Sequence, residues 1–185
     1  MSDDATGVRA RQRSILGSTW WTLPLVLLGI PALDLWVVGA PAIDGRGERI
    51  AFALQCNAVA LMPYFVVCMK IAGTRFFQGS HDPLTHATSA SLAIDCRVLQ
   101  NHLEQLVAFA IAALALATLL PAAHLQLLPL ATAAFVLGRI LYGWGYHRQG
   151  TLGRAPGVQI SFAVTVPMVL GAFVLVLLQA LGPSG

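Results

Sequence analysis

Five mostly apolar stretches, 19–40, 50–72, 94–120, 127–146 and 159–181, leave this chain little choice of fold. Each is long enough for a helix to cross the roughly 30 Å hydrocarbon core of a bilayer, which takes about 20 residues. In hydrocarbon, backbone donors and acceptors must pair within the spanning segment, so separate apolar stretches of this length form helices. The links at 41–49, 73–91, 121–126 and 147–158 are turn-rich or charged, and too short to hold a soluble second domain. The pattern predicts an all-α fold, a polytopic membrane helical bundle.

Composition narrows the function classes. Only 10% of the 185 residues are charged and 57% are apolar, against roughly a quarter charged in ordinary soluble domains. That balance excludes disorder and leaves too little polar surface to cover a soluble core. Eleven Lys+Arg against eight Asp+Glu provide no concentrated basic face, so nucleic acid is not an expected partner. Cys56, Cys68 and Cys96 form no CxxC pair, and an odd count closes no disulfide framework, so the reading is buried free thiols. One Lys against ten Arg, with abundant Ala, Leu and Gly, points to a GC-rich bacterial source and hence to a bacterial inner membrane.

The first stretch has signal-peptide features, with Arg9, Arg11 and Arg13 ahead of it and Ala40-Pro41-Ala42 as a small-residue site. It exceeds the ~7–15 residues of an h-region and contains Pro24, Pro31 and Asp34, so a retained helix is expected. Basic residues set the orientation. Arg9, Arg11 and Arg13 precede the first span, Lys70, Arg75 and Arg97 surround the second link, and Arg148 and Arg154 occupy the fourth. The third link and the C-terminal tail carry none. This alternation predicts a cytoplasmic N-terminus.

Ionisable residues within spans mark functional sites by default. Arg97, Asn101 and Glu104 begin the third span at spacings of four and three, which put them on one helical face. Arg139, Tyr142 and Tyr146 end the fourth span with the same geometry, followed by Arg148. Both sets approach the cytoplasmic side. Arginine forks suit carboxylates and Glu104 suits an ammonium, so the complementary ligand is a small zwitterion or polyanion with an amine. The same spacing also fits an Arg97–Glu104 structural ion pair and an interfacial belt of Tyr142 and Tyr146. A metal site at His81, Asp82 and His86 is not expected, because zinc needs three or four converging ligands.

At these residues the chain resembles the MAPEG family, the membrane-associated proteins of eicosanoid and glutathione metabolism. Arg97-Val-Leu-Gln-Asn101-His-Leu-Glu104 is similar to the family's R-x-x-x-N-x-x-E pattern, and Arg139 to Tyr146 to its R-x-x-Y-x-x-x-Y segment. The likeness runs over about 54–181, with Arg154-Ala155-Pro156 resembling the basic loop that follows. It implies a four-helix bundle at 50–185, preceded by a basic tail, an additional N-terminal transmembrane helix and a link at 1–49. It further implies a homotrimer with glutathione as co-substrate, contacted by Arg97, Asn101, Glu104, Arg139, Tyr142 and Tyr146. Thiolate stabilisation would fall to Arg154, then Arg148, with Arg75 on the side of a lipophilic substrate. Gln105 and Leu99 depart from the family pattern, none of its activating-arginine positions aligns cleanly with Arg154, and the N-terminal helix could recruit a partner protein. The resemblance thus implies a glutathione transferase or peroxidase, with a non-catalytic subunit or lipid-binding scaffold as the alternative; a solute transporter lacks its broken-helix pair.

Overall fold

The computed structural model describes residues 17, 19–34, 43–78 and 89–182. Four of its helices are long and apolar enough to cross a membrane: α2 (Arg46–Phe77), α3 (Ala90–Leu119), α4 (Leu127–Gly153) and α5 (Ala155–Leu181). A shorter apolar helix, α1 (Thr19–Asp34), precedes them. The chain is an all-α, multi-pass membrane protein. Arg9, Arg11, Arg13, residues 35–40 of the first expected span, and His81, Asp82 and His86 lie outside the described residues.

Local chemistry sets several helix ends. The Ser89 side chain caps α3 by accepting a hydrogen bond from the Leu92 amide at 3.3 Å. Glu48 in the first turn of α2 and Arg75 in its last complement the helix dipole. Pro156 opens α5, where its missing N–H leaves no intrahelical bond unmade. The four long helices run alternately up and down. Small residues such as Ala53, Ala60, Ala113, Ala117 and Ala163 are buried between them and allow close backbone approach. The Phe109 and Phe135 rings stack at 4.5 Å in the middle of the core.

The fourth link departs from expectation. Residues 147–158 are almost wholly helical, because the reversal between α4 and α5 is compressed into a break at Gln149 and Gly150. Gly150 has φ +61° and ψ −135°, a conformation that side chains disfavour. Beyond it the chain packs straight back onto α4: a Cβ on Gly157 would overlap the Tyr142 backbone, and one on Gly145 the Gly153 carbonyl. This tight return brings Arg154 to Tyr146.

Helix α1 has 16 residues, about 24 Å long at 1.5 Å per residue. It is pinned to the bundle at both ends. Near its start, Thr22 Oγ1 donates to Gln159 Oε1 and Gln159 Nε2 donates to Thr19 Oγ1, each at 2.7 Å. At its end, Asp34 Oδ2 lies 2.9 Å from His124 Nδ1, and the Gln126 amide donates to the Asp34 carbonyl.

Candidate functional site

The end of the bundle where α2 and α4 finish and α3 and α5 begin carries two cavities on different sides of the α3–α4 pair. The first is an open polar cavity of about 370 Å³. Helix α3 contributes Arg97, Gln100, Asn101 and Glu104, and α4 contributes Tyr142, Tyr146 and, past the break, Thr151, with Arg154 at the junction. Five residues singled out by spacing, and Arg154, to which the family resemblance pointed, thus meet in one place. Gln100 and Thr151 join them; neither is ionisable, so no charge pattern marks them.

The polar groups are held with different firmness. Tyr142 and Tyr146 are buried, their rings edge to face at 6.0 Å and packed with Val98. The Arg154 guanidinium lies 5.0 Å from the Tyr146 ring centroid, a cation–π contact that fixes it at the cavity wall. Arg97 and Glu104 are exposed. Glu104 Oε1 accepts a hydrogen bond from Gln100 Nε2 at 3.2 Å. Among the described residues, the ion pairs are Lys70–Asp95, His147–Asp95 and Asp34–His124, so Arg97, Glu104 and Arg154 face the cavity with their charges unpaired. Arg97 and Glu104 do not form the structural pair their spacing allows.

Two expected site residues sit elsewhere. Arg139 does not line the cavity; it is 2% exposed and lies behind the wall. Its Nε donates to Ser161 Oγ at 3.0 Å and its Nη1 to Asn101 Oδ1 at 2.8 Å, while its guanidinium stands 4.8 Å from the Tyr142 ring centroid. Arg139 therefore orients Asn101 and backs Tyr142. Arg148 is exposed and turned away, 4.4 Å from the Trp144 ring centroid. Arg75 also lies off the cavity, its Nη2 4.0 Å from Cys96 Sγ.

The second cavity, about 470 Å³, lies between α2 and α4 with α3 as its floor. It is apolar except for His102 in its wall and for the mouth, where buried Asp95 Oδ1 accepts from Lys70 Nζ at 2.8 Å and lies 2.7 Å from His147 Nε2. Asp95 is an ionisable residue inside an apolar stretch, and that signal could have selected it. Its partners are 25 and 52 residues away in sequence, beyond any spacing rule. Among the described residues no three His, Cys, Asp or Glu side chains converge as a metal-ligand set.

Residues 53–174 match the family model of the MAPEG family. No curated protein and no solved structure matches the chain.

Proposed function

This chain belongs to the MAPEG family, and from that premise we propose that the polar cavity binds glutathione, or a related thiol, for transfer to a lipophilic substrate or for peroxide reduction. The observation that carries the reading is the convergence of Arg97, Glu104 and Arg154 on one cavity without ion pairing among themselves. Glutathione supplies the complement: a carboxylate for Arg97, a sulfur that becomes anionic for Arg154 and an α-ammonium for Glu104. Asn101, held by Arg139, and the two tyrosine hydroxyls offer the shorter-range contacts that fix its peptide.

Arg154 is the group we assign to the sulfur. A thiol reacts as its thiolate, and an adjacent guanidinium favours the anion. Arg154 lines the cavity, whereas Arg148 is committed to Trp144, so Arg154 is the stronger assignment. In conjugation the thiol proton leaves through the open mouth. The sulfur lone pair then forms a bond to the electrophilic carbon, and the displaced bond's electrons go with the leaving group. The lipophilic partner enters from the surrounding bilayer. A homotrimer, with each cavity walled on one side by a neighbour and its mouth facing the cytoplasm, completes the proposal.

Calorimetric titration of the detergent-solubilised protein with glutathione tests this. Arg97→Ala and Glu104→Ala should each weaken binding by about tenfold or more, the effect of losing one charge-assisted contact worth about 1.5–3 kcal/mol. Arg154→Ala should retain most of the affinity and lose conjugation to a model electrophile. Absence of binding by the unaltered protein would overturn the reading.

A further inference from the structure

The groove between α2 and α4 is not used by the proposed thiol chemistry, and its construction is different. Its walls are apolar except for buried His102, with Val67, Val98 and Val136 inside and Met62, Val66 and Ile140 at its open edge. Met62 is 50%, Val66 58% and Ile140 56% exposed, so the groove opens along the side of the bundle, where lipid lies, and not toward its end. From Met62 to Lys70 the helix rises about 12 Å, so the groove descends that far into hydrocarbon from a polar mouth.

Charge at the mouth selects the occupant. Asp95 is 4% exposed and sits beneath, while Lys70 is 49% and His147 31% exposed above it. Lys70 has three N–H donors, places one on Asp95 and has His147 Nε2 3.4 Å away, leaving one for a ligand. Arg148 does not itself line the groove but stacks on Trp144, which does, and so brings a second permanent cation beside the rim. Two fixed positive charges against one buried carboxylate favour an anion over a cation or a zwitterion.

We propose that the α2–α4 groove is a binding site for an anionic glycerophospholipid, one acyl chain lying along Val66, Val136 and Ile140 and its phosphate held by Lys70 and Arg148. The site is separate from the polar cavity. His102 lines the groove and Tyr142 lines the cavity, their rings 5.8 Å apart across the α3–α4 layer. The two sites take different ligands, so lipid retention is read without glutathione present.

Native mass spectrometry of the solubilised full chain, mixed with phosphatidylglycerol or with phosphatidylcholine of the same acyl chains, tests the assignment. The expected result is retention of phosphatidylglycerol about tenfold above phosphatidylcholine, the scale of one charge-assisted contact. The double variant Lys70→Glu/Arg148→Glu should erase that preference. Val66→Trp, which fills the exposed edge of the groove, should reduce retention of both lipids with no change in subunit number. Glycerol phosphate, which lacks acyl chains, should not compete. Equal retention of the two lipids by the unaltered chain, an unchanged preference in the double variant, or a Val66→Trp effect on subunit number alone would overturn the proposal; the last would identify the occupant as a second copy of this chain.

Discussion

The two cavities at the polar end of the bundle both carry ionisable side chains and differ in what those side chains do with their charge. In the α2–α4 groove, Lys70 and His147 both converge on one oxygen of Asp95, tying three helices together. In the polar cavity, Arg97, Glu104 and Arg154 stand within one pocket and form no ion pair. A paired cluster lowers the energy of the ligand-free molecule. An unpaired one leaves its interaction energy available to a ligand of complementary charge. Stability and ligand affinity should accordingly separate between the two sides of the α3–α4 layer.

The largest expected effect comes from the residue beneath the cavity. Arg139→Ala removes a buried guanidinium and leaves Asn101 Oδ1 without its donor, while the Ser161 hydroxyl keeps only its bond to the Gly157 carbonyl. It should cost about 3 kcal/mol of stability through lost hydrogen bonding and a cavity, and should weaken glutathione binding as Asn101 loosens. Thermal unfolding and titration of one preparation measure both. A stable variant with intact affinity would mean that Arg139 does not orient the site.

Asp95→Ala comes next and sharpens the contrast most. It should lower stability by about 1–2 kcal/mol, a buried-pair effect reduced because Lys70 is half exposed, and leave glutathione affinity within about twofold. Arg97→Ala should behave in the opposite sense, with stability unchanged within about 0.5 kcal/mol and affinity reduced. If both variants lowered both quantities, the two cavities would be one coupled unit. The smallest effect is expected of Arg148→Ala, about 0.5 kcal/mol or less in stability and none on conjugation, since its guanidinium lies on Trp144. Loss of conjugation there would move the thiolate-stabilising role from Arg154 to Arg148.

The four long spans and five residues of the polar cavity were legible because both are local. An apolar run of about 20 residues is visible by length, and spacings of three and four put Arg97, Asn101 and Glu104 on one face wherever α3 packs. Spacing does not give depth. Arg139 shares a face with Tyr142 and Tyr146, yet it lies inside because Ser161 of α5 approaches α4 there, and the closeness of those helices depends on Gly138 and Gly157. The Lys70–Asp95–His147 cluster was hidden for a related reason. Its members come from three helices, and only the packing of α2 against α3 and α4 brings them together. The break at Gln149 and Gly150 was masked by the helical character of the residues on either side of it.

The central claim is that the unpaired charges of the polar cavity hold a thiol as its anion beside Arg154. Ultraviolet difference spectroscopy during a glutathione titration tests it most directly, because the thiolate absorbs where the thiol does not. A saturable thiolate signal in the unaltered protein, lost in Arg154→Ala while calorimetric binding persists, is the predicted result. Saturable binding with no thiolate signal in the unaltered protein, or an undiminished signal in Arg154→Ala, would contradict it.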